Sequence, residues 1–190
     1  NWNLNYHNNP YFLQYDNPQS DQRDRYIASV QASWKLSNWL NAQLRSGSDI
    51  YRYTINEDNA AGNINYTDLA YNGAMYQFNN NNNENNTELL FAANGHAGKH
   101  FQLNATLGGA RRYAHYQSNT ANVNALVAAN IYNLANAAKS PTVSDYMSSL
   151  QTNSVYGSGS FTMNDYWTVE VTGRNDVSST LPKGNNSYFY

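Results

Sequence analysis

Few residues of this chain are spaced for chemistry, and those that are carry charge into what read as strand interiors. If Met163 meets Trp167 across a short turn, Tyr156 falls opposite Arg174 and Ser154 opposite Asp176. Such neighbours on one face of an antiparallel pair make cross-strand polar contacts. Arg45, Asp49 and Arg112 stand on the polar side of other alternating segments. These six side chains (Tyr156, Arg174, Asp176, Arg112, Arg45 and Asp49) are the candidates for touching a ligand or gating a passage. The plainer expectation is that they pack a wall. His96 and His100 face one another across a turn in the same register, but no carboxylate or third ligand is close in sequence, so no metal site is expected. Asp16, Asp21, Asp24, Glu57 and Asp58 are loop acids without the spacing of a calcium loop. No serine–histidine–acid set, phosphate loop or carboxylate pair has interpretable spacing, so neither a catalytic residue nor a cofactor is expected and the chain does not read as an enzyme.

The elements that position these groups alternate. In Tyr166–Asp176, Trp167, Val169, Val171 and Gly173 share one face, and Thr168, Glu170, Thr172, Arg174 and Asp176 the other. That is the period-two pattern of a strand whose faces meet different surroundings. Arg25–Leu36 repeats it, with Tyr26, Val30 and Trp34 opposite Ser29, Ser33 and Lys35; Leu40–Tyr53 returns after Ser37–Trp39. Thr87–His96 and His100–Tyr113 form a second pair about a turn at Ala97–Lys99, and Asn153–Met163 with Tyr166–Asp176 a third about Asn164–Tyr166. Like-facing residues meet across all three turns, as hairpin register requires. Asn1–His7 reads as the end of a strand and Ser187–Tyr190 as the beginning of one. The intervening stretches read as loops: Asn8–Asp24, Thr54–Asn86 with a flexible asparagine tract at Asn79–Asn86, and Ala114–Thr152. Within the last, Val123–Ala138 has helical composition and Pro141 would stop it. Gly73–Phe78 reads as a short strand or a hairpin arm.

Composition narrows the classes. The chain has 190 residues, a net charge of -2 and a pI of about 6.0, so no basic field argues for nucleic acid. It has no cysteine, which removes disulfides and thiolate metal sites. The mean hydropathy of -0.75 would exclude spanning helices, but not barrel strands, whose alternation hides them from hydropathy.

Short turns alternate with long loops, the rhythm of an outer-membrane barrel with periplasmic turns and extracellular loops. Trp34, Trp39, Phe101, Tyr166 and Trp167 gather at the short-turn ends, where an interfacial girdle belongs. The expectation is therefore an all-β fold, an antiparallel transmembrane β-barrel segment with its apolar face toward lipid. A soluble β-sandwich with long loops is the alternative. Ser187–Tyr190 is too short to span, so the chain is expected to be a piece of a larger barrel.

Val171–Tyr190, V-T-G-R-N-D-V-S-S-T-L-P-K-G-N-N-S-Y-F-Y, resembles a characteristic stretch of the SusC/RagA-type TonB-linked outer-membrane transporters. Asn9–Phe12 (N-P-Y-F), Arg23–Tyr26 (R-D-R-Y), Trp39 with Leu40, Asn130–Asn136 (N-I-Y-N-L-A-N) and Ser154–Gly157 (S-V-Y-G) fit the same family in the same order. Two places depart from it. Val123–Asn130 lacks the proline more often found there, and Val177 stands where an aromatic is common. The resemblance covers essentially the whole chain. It implies a 22-stranded barrel with an N-terminal plug, importing oligosaccharides or peptides with energy relayed by the TonB complex, and a SusD-like surface lipoprotein as lid. On that reading residues 1–190 are a partial barrel in the bacterial outer membrane, without the plug, the TonB-contacting segment or the C-terminal strand. The aromatics assigned to loops (Tyr11, Phe12, Tyr15, Tyr66, Tyr71, Tyr76 and Phe78) suit either sugar stacking or packing. They motivate the other functional class, a surface adhesion or glycan-binding β-domain.

Overall fold

The alternating segments do form strands, and they run longer than their patterns suggest. A computed structural model of the chain describes residues 7–63, 72–164 and 166–190. Its elements are a short helix α1 (Pro10–Asp16), then strands β1 (Gln19–Lys35), β2 (Leu40–Asn59), β3 (Ala74–Ala97), β4 (Phe101–Val123), β5 (Thr142–Met163), β6 (Trp167–Ser178) and β7 (Ser187–Phe189). The seven strands lie side by side in chain order, β1 to β7, so every connection is a hairpin and none crosses over. No helix among the described residues is long and apolar enough to cross a membrane.

The register of the last hairpin is the expected one. Met163 pairs with Trp167, Tyr156 with Arg174 and Ser154 with Asp176. At the first, Leu36 donates its backbone N–H to Leu40 at 2.9 Å. At the middle one, β3 ends at Ala97 and β4 begins at Phe101. The turn is thus 98–100, one residue later than expected, with Gly98 at φ 68 supplying the left-handed residue. The strand expected at Asn1–His7 lies outside the described residues but for His7, as does Asp165 of the third turn.

Three expectations fail. Asn8–Asp24 is not all loop: Asn9 caps α1, its side chain accepting the Tyr11 N–H at 2.9 Å, with Pro10 in the first turn, where its missing donor costs nothing. Asn79–Asn86 is not a flexible loop but the middle of β3. Asparagine is a poor strand former in isolation, yet here neighbouring strands answer its amides. Arg52 donates to Asn81 at 3.1 Å, and Asn85 donates to the Gly47 carbonyl at 3.1 Å and to Ser48 at 2.8 Å. Val123–Ala138 is not helical. β4 continues to Val123, and the connection holds one turn of 3-10 helix, Leu134–Asn136, beside a bridge between Leu126 and Ala137.

The chain divides into two compact units. The first comprises Asn1–Arg25, Tyr51–Asn82 and Tyr116–Met147. It holds a small core of Met75, Val123 and Leu126, each at most 2% exposed, with Tyr132 and Ala137 packed against it. Val123 and Leu126 come from the segment that departs from the family pattern. Gly73, at φ 99, closes this core: a Cβ there would lie 2.6 Å from the Asn59 carbonyl. The second unit comprises Tyr26–Ile50, Asn83–His115 and Ser148–Tyr190. Its large apolar side chains are exposed, among them Val30 (68%), Leu103 (54%) and Val169 (62%).

Candidate functional site

Four strands of the second unit, with Tyr190 just after β7, contribute to one row of polar side chains that crosses a fifth. Arg45 on β2 donates from Nη2 to Glu88 Oε2 on β3 at 2.7 Å. The other oxygen of Glu88 accepts the hydroxyl of Tyr156 from β5. To reach it, the Tyr156 ring crosses Gly108 of β4, where any side chain would overlap the ring. On the far side, the Arg174 guanidinium of β6 sits 5.6 Å from the Tyr156 ring centre, a cation–π distance. Arg174 donates from Nε to Asp176 Oδ1 at 2.8 Å and from Nη2 to Ser154 Oγ at 3.0 Å. The Tyr190 hydroxyl donates to the remaining oxygen of Asp176 at 2.9 Å.

Arg112 on β4 makes a two-pronged pair with Glu84 on β3, both contacts at 2.9 Å, the geometry that matches a guanidinium to a carboxylate. Hydroxyl pairs continue the polar face, Thr106 with Ser158 at 2.6 Å and Thr162 with Thr168 at 3.0 Å, while Ser46 and Thr87 pair at 2.9 Å on the opposite face. A cavity of about 380 Å³ opens among these strands, lined by Arg45, Glu88, Arg112, Ser154, Arg174 and Asp176, with Arg111 beside them. A second, of about 430 Å³, lies against Tyr156, Gly173 and Tyr190.

Of the six candidates, the structure brings Arg45, Arg112, Arg174 and Asp176 to one cavity, and sets the Tyr156 ring against Arg174. Asp49 does not line this cavity; it lies within electrostatic reach of Glu84. Sequence reasoning passed over three participants. Glu88 was legible as the acid on the polar face of its segment, and Gly108 as half of a glycine pair inside a strand, a sign of close approach. Glu84 was hidden in the asparagine tract.

His96 and His100 do not face each other as strand partners, because His100 belongs to the turn. Among the described residues, no three histidine or acidic side chains gather as metal ligands would. Of the aromatics assigned to loops, Tyr76 and Phe78 lie in β3, while Tyr66 and Tyr71 are outside the described residues. Tyr11 and Tyr15 stack on α1 with ring centres 6.5 Å apart, both exposed.

The first unit carries its polar groups differently. Arg23 lies over the rings of Tyr51 and Tyr53, at 5.4 and 5.2 Å. Three asparagines of the N-I-Y-N-L-A-N run hold the connection between β4 and β5. Asn130, at φ 58, accepts the Ala61 N–H at 2.7 Å, and Asn133 caps the 3-10 turn at Ala135 N–H. Asn136 accepts from Ala128 N–H at 3.0 Å and donates to the carbonyls of Ala128 and Ile131 at 2.8 and 2.7 Å. Burial pushes the Tyr132 hydroxyl above its usual range, and the charges of Asp58 and Asp16 add to the shift.

No protein-family model matches the sequence, and no curated protein does. Solved structures do resemble it. The chain superposes on the RagAB peptide transporter with a TM-score of 0.85 at 14% identity, over 95% of its own length. On the RagAB peptide importer it does so with 0.82 at 15% in the closed-closed state and 0.79 at 14% in the open-open state, again over 95%. It spans 20% of the length of those chains. The likeness is one of fold, and it falls on the same kind of transporter that the sequence motifs resemble.

Proposed function

We propose that this chain is a stretch of barrel wall from an outer-membrane nutrient importer of the SusC/RagA type. The observation that carries the reading is the second unit's division of faces. One face exposes Val30, Leu103, Leu107, Val169 and Val171; the other carries a hydrogen-bonded row from Arg45 to Asp176. A soluble sheet would cover that apolar face with protein, whereas lipid covers it in a barrel whose lumen is polar. The consecutive hairpins and the fold shared with the RagAB transporter support this reading.

On this proposal residues 1–190 are part of a 22-stranded barrel in the bacterial outer membrane. A plug and a TonB-contacting segment belong to other parts of the protein. The cargo is an oligosaccharide or peptide, and a SusD-like lipoprotein is the lid. Tyr156, Arg174, Asp176, Arg112 and Arg45 line the passage, and Asp49 lies near them on the same wall.

The test is made on the full-length protein. It is expected in the outer-membrane fraction, extracted only by detergent, with the altered gel mobility on heating that intact barrels show. It should also co-purify with a surface lipoprotein. A full-length protein that stays soluble and monomeric without detergent would sink the proposal in favour of a soluble surface-binding domain.

A further inference from the structure

The outer face of the second unit holds a cavity for which the passage of cargo has no use. It measures about 400 Å³ and lies where β5 and β6 meet the connection to β7, lined by Gln151, Asn153, Val177, Ser179, Leu181 and Lys183. Asn153 pairs with Val177, two residues along from Val155 and one pleat beyond Val171 and Gly173, so the cavity opens on the apolar side of the sheet. Its walls are tied together already. Ser179 donates its N–H to the Gln151 carbonyl at 2.9 Å and accepts the Gln151 N–H on Oγ at 2.9 Å. Ser178 donates its N–H to the Asn186 carbonyl at 2.9 Å, which holds the connection against β6.

The charge here differs from that of the polar face. There Glu88, Glu84 and Asp176 answer Arg45, Arg112 and Arg174 one to one. On the outer face no acid lines the cavity, and Lys183 stands in it as an exposed cation. Arg111 adds a second positive group: its guanidinium reaches this face, donates to Gln151 Oε1 at 3.2 Å and lies 5.9 Å from the Tyr113 ring centre. Gln151 Nε2 donates in turn to Asn153 Oδ1 at 3.2 Å. Both amide oxygens are thereby engaged, and what the two amides still offer a ligand is N–H. Donors, a lysine and no carboxylate make a site for an oxyanion.

Toward the short turns the same face is bare and apolar, with Val155, Val171 and Phe189 at 61%, 69% and 79% exposed. From Trp167 to Val177, β6 rises roughly 33 Å, which at a barrel tilt of about 40° is about 25 Å of height, the thickness of an apolar band. With the Trp167 end at one interface, the cavity falls at the other, among headgroups. We propose that it seats the phosphate-bearing headgroup of an outer-leaflet glycolipid. Lys183 is the ion partner and the Gln151 and Asn153 amides are donors, while Arg111 positions Gln151 and the acyl chains lie along Val155 and Val171. A free anion would use the donors and leave the apolar wall bare, whereas a lipid uses both. The inference rests on the import reading above, which puts the short turns in the periplasm and this cavity in the outer leaflet.

Native mass spectrometry of the purified full-length protein, released from detergent, tests it. The probes are monophosphorylated lipid A, the same lipid without its phosphate, and inorganic phosphate as competitor. The phosphorylated lipid should bind about tenfold or more tighter than the phosphate-free one. Lys183→Gln, in an exposed connection, should lose most of that preference and Arg111→Gln a smaller share, while Lys99→Gln, a cation at a short turn, keeps it. Val177→Trp fills the cavity with both cations in place and should abolish the preference; heat-modifiable gel mobility confirms that each variant is a folded barrel. Equal binding of the two lipids by the parent, including no binding of either, overturns the site. So does a preference that survives Lys183→Gln or Val177→Trp, or one lost as fully in Lys99→Gln. Displacement of the lipid by an equal concentration of inorganic phosphate overturns it as well, in favour of a free-anion site. Membrane localisation and uptake that persist without a phosphate preference remove this site alone and leave the import reading standing.

Discussion

The two units of the chain stay ordered by opposite means. The first buries apolar side chains: among the described residues, five of the six buried hydrophobic ones (Ala60, Met75, Ala121, Val123 and Leu126) belong to it, against Ala42 in the second. It also answers loop backbone with asparagine amides at Asn130, Asn133 and Asn136. The second unit has almost no apolar core. Its order comes from strand ladders and from side chains that reach across strands, Arg45 to Glu88, Glu88 to Tyr156, Tyr156 to Arg174. Its large apolar groups point outward and stay exposed. A sheet built this way gains hydrophobic stabilisation only from whatever covers that outer face. The first unit supplies its own apolar cover; the second leaves its outer face to be covered from outside, by lipid on the function proposed above.

The sharpest way to break this contrast is to put charge on that outer face. Arginine at Val30, Leu103 or Val169 should each cost ~2–4 kcal/mol in denaturant unfolding of the full-length protein in lipid. The same substitution at Ser33 or Thr168, on the polar face, should be nearly neutral. Equal costs on both faces would end the assignment of lipid to one of them.

A smaller effect tests the cross-strand row. Gly108→Ala forces the Tyr156 ring off β4 and away from Glu88, at ~1–3 kcal/mol. In a Tyr156→Ala background the ring is gone, and the same alanine should cost almost nothing. A double-mutant cycle showing no coupling between these positions would mean that the tyrosine does not lie where it is described.

In the first unit, Asn136→Ala removes one acceptor and two donor contacts at an accessible site, for a local loss of ~1–2 kcal/mol. Hydrogen exchange should quicken in 124–141 and stay unchanged in 148–178, and a uniform change across both would deny the units their separate sources of order.

The smallest expected effect is a pH dependence at Tyr132. Its folded pKa is raised by burial, so its contribution is intact below the ordinary tyrosine range and is lost as pH climbs through the raised value. Tyr132→Phe should remove that alkaline loss of stability, and an unchanged alkaline limb would show the hydroxyl to be unburied.

Much of the second unit was legible in the sequence. The faces of β1, β5 and β6 and the pairing of Met163 with Trp167 follow from alternation, because a slip of one residue would turn every side chain to the wrong side. Arg45, Arg112, Arg174 and Asp176 were legible as polar-face charge for the same reason. The first unit was not. Val123–Ala138 has the composition of a helix, but Val123 and Leu126 are claimed by a core with Met75, far away in sequence. Asn79–Asn86, which runs from the first unit into the second, has no strand pattern of its own, and only partners such as Arg52, Gly47 and Ser48 make it one.

What the sequence determined by itself is thus periodic: which residues share a face, where strands turn back, and that one face is apolar toward the short turns. These follow from the two-residue repeat of the strand, which every local stretch carries. What only the tertiary structure decided is lateral. That Tyr156 lies over a glycine two strands from Arg45, that Glu88 joins them, and that three asparagines hold one connection depend on which strands become neighbours. Neighbours are chosen by hydrogen bonds between segments distant along the chain, and no local repeat records them.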